Sequence, residues 1–160
     1  MLSFKKHMKS MVVDVDIKEN TLMRIVQEFC FDQILIEASS LDINDDLVSV
    51  IKEKGMELFI VREHDFIVDA FFIMKKADFN EFTFYLNKCN SEVILIYVQN
   101  DSVDLIHIIE KDRSSFSHQK DMLKEGKCSL VFTWVTNENR IHVDYDSSKY
   151  DAIRITKTIK

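Results

Sequence analysis

The chain of 160 residues contains no proline and only two glycines, Gly55 and Gly126, where average usage would give roughly 8 prolines and 11 glycines. Glycine lets backbone approach a phosphate closely or take a positive φ. A phosphate-cradling loop, a dinucleotide fingerprint and a nucleophile elbow therefore cannot be written in this sequence. The three cysteines, Cys30, Cys89 and Cys128, are odd in number, far apart and without a CxxC spacing. That pattern argues against a disulfide framework and for free, partly buried thiols in a reducing compartment. No apolar run approaches the roughly 20 residues that cross a bilayer. Met1–Ser10 carries Lys5, Lys6 and Lys9, but Asp14 and Asp16 interrupt the apolar block behind it, unlike a secretory signal. The expectation is a single cytoplasmic domain over 1–160, with no membrane partner.

What is present is a hydrophobic fraction of 46% and a charged fraction of 30%, the balance of a globular chain large enough to bury a core without staples. The net charge of -6 is unevenly spread. Residues 11–110 hold 20 acidic and 8 basic side chains, whereas the remainder is basic. An acidic central body repels phosphate backbones, so nucleic acid is not an expected partner and a basic protein is.

Residues 11–17 alternate Val13, Val15 and Ile17 with Asp14 and Asp16, the period of a half-buried strand. Leu22, Ile25, Val26, Phe29 and Cys30 form a helical stripe over 20–31, with Asn20 as its cap. A strand over 33–38 follows. A second helix spans 44–54, with Asn44 as cap, Asp45 and Asp46 in its first turn, Lys52 and Lys54 in its last, and Gly55 just past its end. From there a helix, a cap and a hairpin recur three times. The strand pairs are 56–61 with 66–74, 92–98 with 103–109, and 129–135 with 140–145. The later helices span 78–89, opened by an Asp78–Glu81 capping box, and 115–125, ended by Gly126. The alternation of Ile153 and Ile155 with Arg154 and Thr156 predicts a final strand over 152–159. Repeated helix-plus-hairpin units predict an α+β fold with a mostly antiparallel sheet and helices mainly on one face. The first half also permits a parallel βαβαβ unit. Several strands are apolar on both sides, so both faces of the sheet require cover: helices supply one, and the N-terminal segment, a curled sheet or another protein molecule, such as a second copy of the chain in a homodimer, supplies the other.

Five histidines (His7, His64, His107, His118, His142) lie outside any metal-binding helix spacing. His142 and Asp144 share a strand face and suit an acid–base pair; Asp14 and Asp16 share another and suit a divalent cation. In both cases a solvated strand face explains the residues as well. The cysteines read as small buried hydrophobes, and Trp134 with the phenylalanines near 66–84 as core. No catalytic, metal or cofactor site is expected. The remaining acids, Asp42, Asp45, Asp46, Glu63, Asp65 and Asp69, are the candidate partner-binding residues. Asp69 stands out because it interrupts an apolar strand, where it must face solvent, pair with a base or meet a partner.

The stretch from Cys128 to Tyr145 ends a helix, runs an apolar strand, turns through Asn137-Glu138-Asn139 and closes on an Asp144-Tyr145 strand. In this it resembles the final hairpin of small bacterial immunity proteins that neutralise polymorphic toxins. The resemblance covers about 18 residues and implies a small acidic cytoplasmic inhibitor, without assigning binding residues. The leading expectation is thus a non-enzymatic inhibitor that occludes a basic toxin domain, often a nuclease. The alternatives are a chaperone-like or oligomeric structural protein, and a small metal-dependent hydrolase using Asp14, Asp16 or His142 with Asp144.

Overall fold

In the computed structural model, residues 7–17, 19–39, 42–63, 66–99 and 128–160 are described. The expected strand 103–109, the helix 115–125, Gly126, His64, Asp65, His107 and His118 lie outside the described residues. Among the described residues, seven strands form one sheet: β1 (Met8–Asp14), β2 (Gln33–Ser39), β3 (Glu57–Glu63), β4 (Phe66–Lys75), β5 (Val93–Gln99), β6 (Cys128–Val135) and β7 (Arg140–Asp146). Their spatial order is β1-β7-β6-β5-β2-β4-β3, and every pairing is antiparallel. The parallel βαβαβ alternative is thereby overturned: β1 sits at the far edge from β2, against the last strand of the chain. Four helices complete the described fold: α1 (Glu19–Phe29), α2 (Asp45–Lys54), α3 (Phe79–Leu86) and α4 (Ala152–Ile159). The fold is α+β, with the mostly antiparallel sheet that the hairpin pattern predicts.

Alternation along the strands separates the sheet into two faces. One face presents Val13, Ile34, Ile36, Ala38, Ala70, Phe72, Ile94, Ile96, Leu130, Phe132, Ile141 and Val143 to the helix stripes of Leu22, Ile25, Val26, Phe29, Leu47, Val50, Phe79, Phe82, Leu86, Ile155 and Ile159. Aromatic contacts place the helices: Phe29 of α1 lies 5.5 Å from Phe132 of β6, and Phe82 of α3 lies 4.8 Å from Phe72 of β4. Ion pairs tie the helices in twos, Lys54–Glu81 at 3.3 Å across α2 and α3 and Arg154–Glu28 at 2.9 Å across α4 and α1. The second face carries its own buried cluster of Leu35, Phe71, Ile73, Leu95, Tyr97, Cys128 and Val131. These side chains are buried within the single chain, so the two-sided apolar strands do not by themselves require a second copy.

The local signals of α2 act as their chemistry dictates. Asn44 Oδ1 accepts from the Leu47 amide at 2.9 Å, and Gly55 takes the left-handed conformation at φ 66°. Asn90 plays the same part after α3 at φ 55°. Several expectations need correction. Residues 152–159 are a helix, not a strand: Asp151 caps it by accepting from the Ile153 amide at 3.0 Å, and Ile155 and Ile159, four apart, are its buried positions. The Asp78–Glu81 capping box does not form, because Asp78 ends a 3-10 turn and makes no side-chain cap. Glu81 pairs with Lys54 instead. The first strand is 8–14 rather than 11–17, and α1 begins at Glu19, so Asn20 lies inside it. Finally, β5 has β2 on one edge and β6 on the other.

Candidate functional site

Antiparallel register decides which strand ends meet. The C-terminal ends of β2 and β6 lie beside the N-terminal end of β5, since Ser39 and Val135 both pair with Val93. The start of β7 pairs with the end of β1, Asp14 opposite Arg140, and the Val15 amide reaches Asn139 O at 3.1 Å. The segment leading into α2 is held at the same end by the Asp42 amide, which donates to Cys89 O at 3.1 Å. One end of the sheet therefore gathers Asp14, Asp16, Asp42, Asp45, Asp46, Glu92 and Glu138, all exposed. The described cations there are Arg140, 3.7 Å from Asp14, and Lys88, whose ammonium lies over the Phe84 ring. Of the sequence-selected acids, Asp42, Asp45 and Asp46 stand in this group. Glu63 ends β3 at the same end of the sheet, its side chain outside the described residues, as is the whole of Asp65. Sequence reasoning missed Glu92 and Glu138 and weighed Asp14 and Asp16 only as a cation site; nothing local marks them as neighbours of Asp42, because pairing alone brings them together.

Asp69 departs from the exposed group. Its side chain is 1% exposed on the second face of β4, so it adds no charge to an accessible patch. Around it the register assembles a polar cluster within apolar surroundings. Glu37 of β2 is 4% exposed and Tyr97 of β5 fully buried. The Tyr97 hydroxyl donates to Glu37 Oε1, and Asp69 Oδ1 accepts from the Ala70 amide at 3.1 Å. Burial first, then the neighbouring Asp69, push Glu37 up to about 10, against a smaller lowering by the Tyr97 hydroxyl. Burial and the neighbouring Glu37 hold the Tyr97 phenol well above its ordinary value. Asp69 thus lies in the interior beside another acid rather than in solvent. Glu37 had no distinguishing mark in the sequence beyond an acid in mid-strand.

The other candidates are local. His142 Nε2 lies 3.7 Å from Glu138 Oε2, and Asp144 accepts from Ser10 Oγ on the neighbouring strand, so each of the expected pair has a different partner. Among the described residues no group of three or more His, Cys, Asp or Glu side chains is placed to hold a metal ion. All three cysteines are buried, and none forms a disulfide. Burial raises Cys30 to about 12, with nearby Lys76 acting the other way. Trp134 donates from Nε1 to Glu138 O at 3.2 Å, which fastens the β6–β7 hairpin. An open groove of about 420 Å³ runs along α1 and α4 between Glu28, Asp151, Ile153, Arg154, Lys157 and Thr158. No described helix is long and apolar enough to cross a membrane.

No protein-family model matches the chain, and no curated protein matches it. Among solved structures, aspartokinase alpha and beta subunits align over 80% of this chain and 90% of theirs, at 13% identity and a TM-score of 0.29. A likeness of that size supports no argument about fold or activity.

Proposed function

We propose that this chain is a protein-binding inhibitor that occludes a basic partner through the acidic end of its sheet, in the manner of an immunity protein bound to a toxin domain. The observation that supports the reading is the convergence of Asp14, Asp16, Asp42, Asp45, Asp46, Glu92 and Glu138 at one end, against Arg140 and Lys88. Carboxylates grouped on strand ends and the first turn of a capped helix create a negative field on a rigid support. Such a field steers a cationic surface into place and speeds association, with strong dependence on salt. The nuclease class fits as a partner because a surface that holds nucleic acid is basic, and carboxylates fixed on a scaffold can take the place of phosphates.

The test is co-expression with the polypeptide encoded directly upstream of this reading frame, scored by growth. The wild-type chain should relieve arrest, and the triple reversal Asp42→Lys, Asp45→Lys, Asp46→Lys should not, while its circular dichroism stays native. In vitro, the association rate should fall on the order of 10-fold or more as salt rises from low to high ionic strength. Rescue by the triple reversal as complete as by the wild type, or an association rate indifferent to salt, would overturn the reading.

A further inference from the structure

We infer that the outer edge of β1 pairs with the same edge of a second copy of this chain, antiparallel about a two-fold axis at Val12, so that two sheets join into one. The argument begins with the backbone groups already in use. The Ser147 amide donates to His7 O at 2.8 Å, and the Val15 amide donates to Asn139 O at 3.1 Å. Between those two bonds the register of β1 on β7 runs without a shift. In an antiparallel ladder, successive residues turn their amide and carbonyl to opposite edges. The odd-numbered residues of β1 therefore face β7, and Met8, Ser10, Val12 and Asp14 point theirs outward. Those outward groups have no partner among the described residues, where β1 ends the strand order. Lys9, Ser10, Val12 and Asp14 are exposed, Val12 at 50%. An uncovered ladder of this kind is a template for another strand.

The side chains select that strand. Lys9 stands near the start of β1, with Asp14 at its end and Asp16 just beyond. A lysine in an edge strand deters most neighbours, but carboxylates at the other end answer it when the second strand is the same sequence in reverse. A parallel copy would set lysine beside lysine and acid beside acid, which repel. With Val12 on the axis, Lys9 comes opposite Val15 of the copy, the residue between Asp14 and Asp16. Asp14 is already opposed by Arg140 at 3.7 Å, so Asp16 supplies most of the complement. The exposed Val12 side chains meet on the second face. On the helix face the partly buried Met11 comes opposite the buried Val13 of the copy, which extends the core across the axis. Ser10 and Asp14 pair across the axis through their backbones, and the Ser10 hydroxyl keeps its bond to Asp144. Because one patch serves both copies, the assembly closes at two.

Sedimentation equilibrium of the full chain tests the pairing. The mass should rise from one chain's 18.9 kDa toward twice that as concentration climbs from about 1 μM to about 1 mM, the range of a small transient contact. Val12→Lys sets two ammonium groups face to face across the axis and should abolish the rise. Val12→Pro deletes an outward amide while sparing the ladder to β7, and should abolish it too; circular dichroism checks that each variant is folded. Cross-linking supplies a second readout. Hydrogen-bonded residues opposite each other lie about 5.5 Å apart between Cα atoms, within the span of a disulfide. After mild oxidation, V12C should run as a disulfide-linked dimer, whereas Phe84→Cys, at an equally exposed site on α3, should remain a single chain. A mass that stays at one chain, growth beyond two chains, or a rise that persists in folded V12K would overturn the inference. So would V12C no more cross-linked than F84C, and that comparison decides the matter if V12K and V12P fail to fold. The pairing uses none of Asp42, Asp45 and Asp46, so growth rescue and dimer mass stand or fall separately.

Discussion

Helix α2 is clamped at both ends, and the two clamps can be removed separately. At the start, Asn44 Oδ1 satisfies the Leu47 amide at 2.9 Å; Asn44→Ala leaves that donor to water and costs about 1 kcal/mol. At the end, Gly55 stands at φ 66°, a conformation that costs an L-residue roughly 1–2 kcal/mol. A methyl group placed on Gly55 would meet nothing within 4 Å, so neighbouring atoms add no steric cost. The smaller entropy of the unfolded alanine chain offsets roughly 0.4–1 kcal/mol, leaving about 1 kcal/mol for Gly55→Ala. The two sites are some 16 Å apart along the helix at a rise of about 1.5 Å per residue, so the double variant should lose about 2 kcal/mol, within about 0.5 kcal/mol of the sum. Urea denaturation reads the loss as a lower midpoint at unchanged slope. Gly55→Asn provides the internal control: Asn90 already holds φ 55° in this chain, so asparagine at 55 should cost less than alanine. The reasoning is refuted if Gly55→Ala costs nothing, or if alanine and asparagine destabilise equally.

Arg24 of α1 donates to Thr158 O at 3.2 Å and to Ile159 O at 2.9 Å, closing the C-terminal end of α4 with a charge of the favourable sign. Arg24→Met should cost roughly 1.5 kcal/mol and speed amide exchange in the last turn of α4; unchanged exchange there would show that the contact does not hold the helix. Cys30 is buried with its thiol raised to about 12, so in a C89A/C128A background a thiol reagent at pH 8 should react only at the rate of unfolding. A rapid reaction in the folded protein would contradict this. The sign of its linkage follows: the folded thiol keeps its proton where the unfolded one ionises, so stability declines as pH rises from about 9 toward 12.

Strong alternation and strong caps made most of the fold readable. The hairpins 56–74 and 129–145, the strand 33–38 and the helix capped by Asn44 and Gly55 all rest on local chemistry, and they occur within a residue or two of their expected bounds. The C-terminal helix did not, because Ile153, Ile155, Thr156, Thr158 and Ile159 are β-branched and alternate convincingly. The deciding facts were the Asp151 cap and the burial of Ile155 and Ile159 against α1 and the sheet, a tertiary choice that overrides propensity. Asp69 was marked by its odd place in an apolar strand, yet its neighbour Glu37 was not. A buried pair is visible only once β2 and β4 are adjacent, and sequence order alone does not specify adjacency. The acidic end was half legible for the same reason: Asp42, Asp45 and Asp46 cluster in sequence, whereas Glu92 and Glu138 join them through register.

The carboxylates of that end are not equivalent, and the difference separates folding from binding. Asp45 and Asp46 lie in the first turn of α2, where the unsatisfied amides give the helix a positive end that favours negative charge. Part of their field is therefore spent on the helix itself, and reversing them weakens the fold as well as any association. Asp42 precedes the cap residue and is tied to the fold by its backbone amide, so its exposed carboxylate is free to act outward. Asp14 is already opposed by Arg140 at 3.7 Å, an exposed pair that contributes little to stability but reduces the outward field. If the acidic end recruits a cationic partner, Asp42→Lys should slow association at low salt while leaving the denaturation midpoint where it was, and Asp45→Lys should shift both. An equal effect of the two substitutions on association, each in proportion to lost stability, would mean that the acids serve the helix and that the partner docks elsewhere.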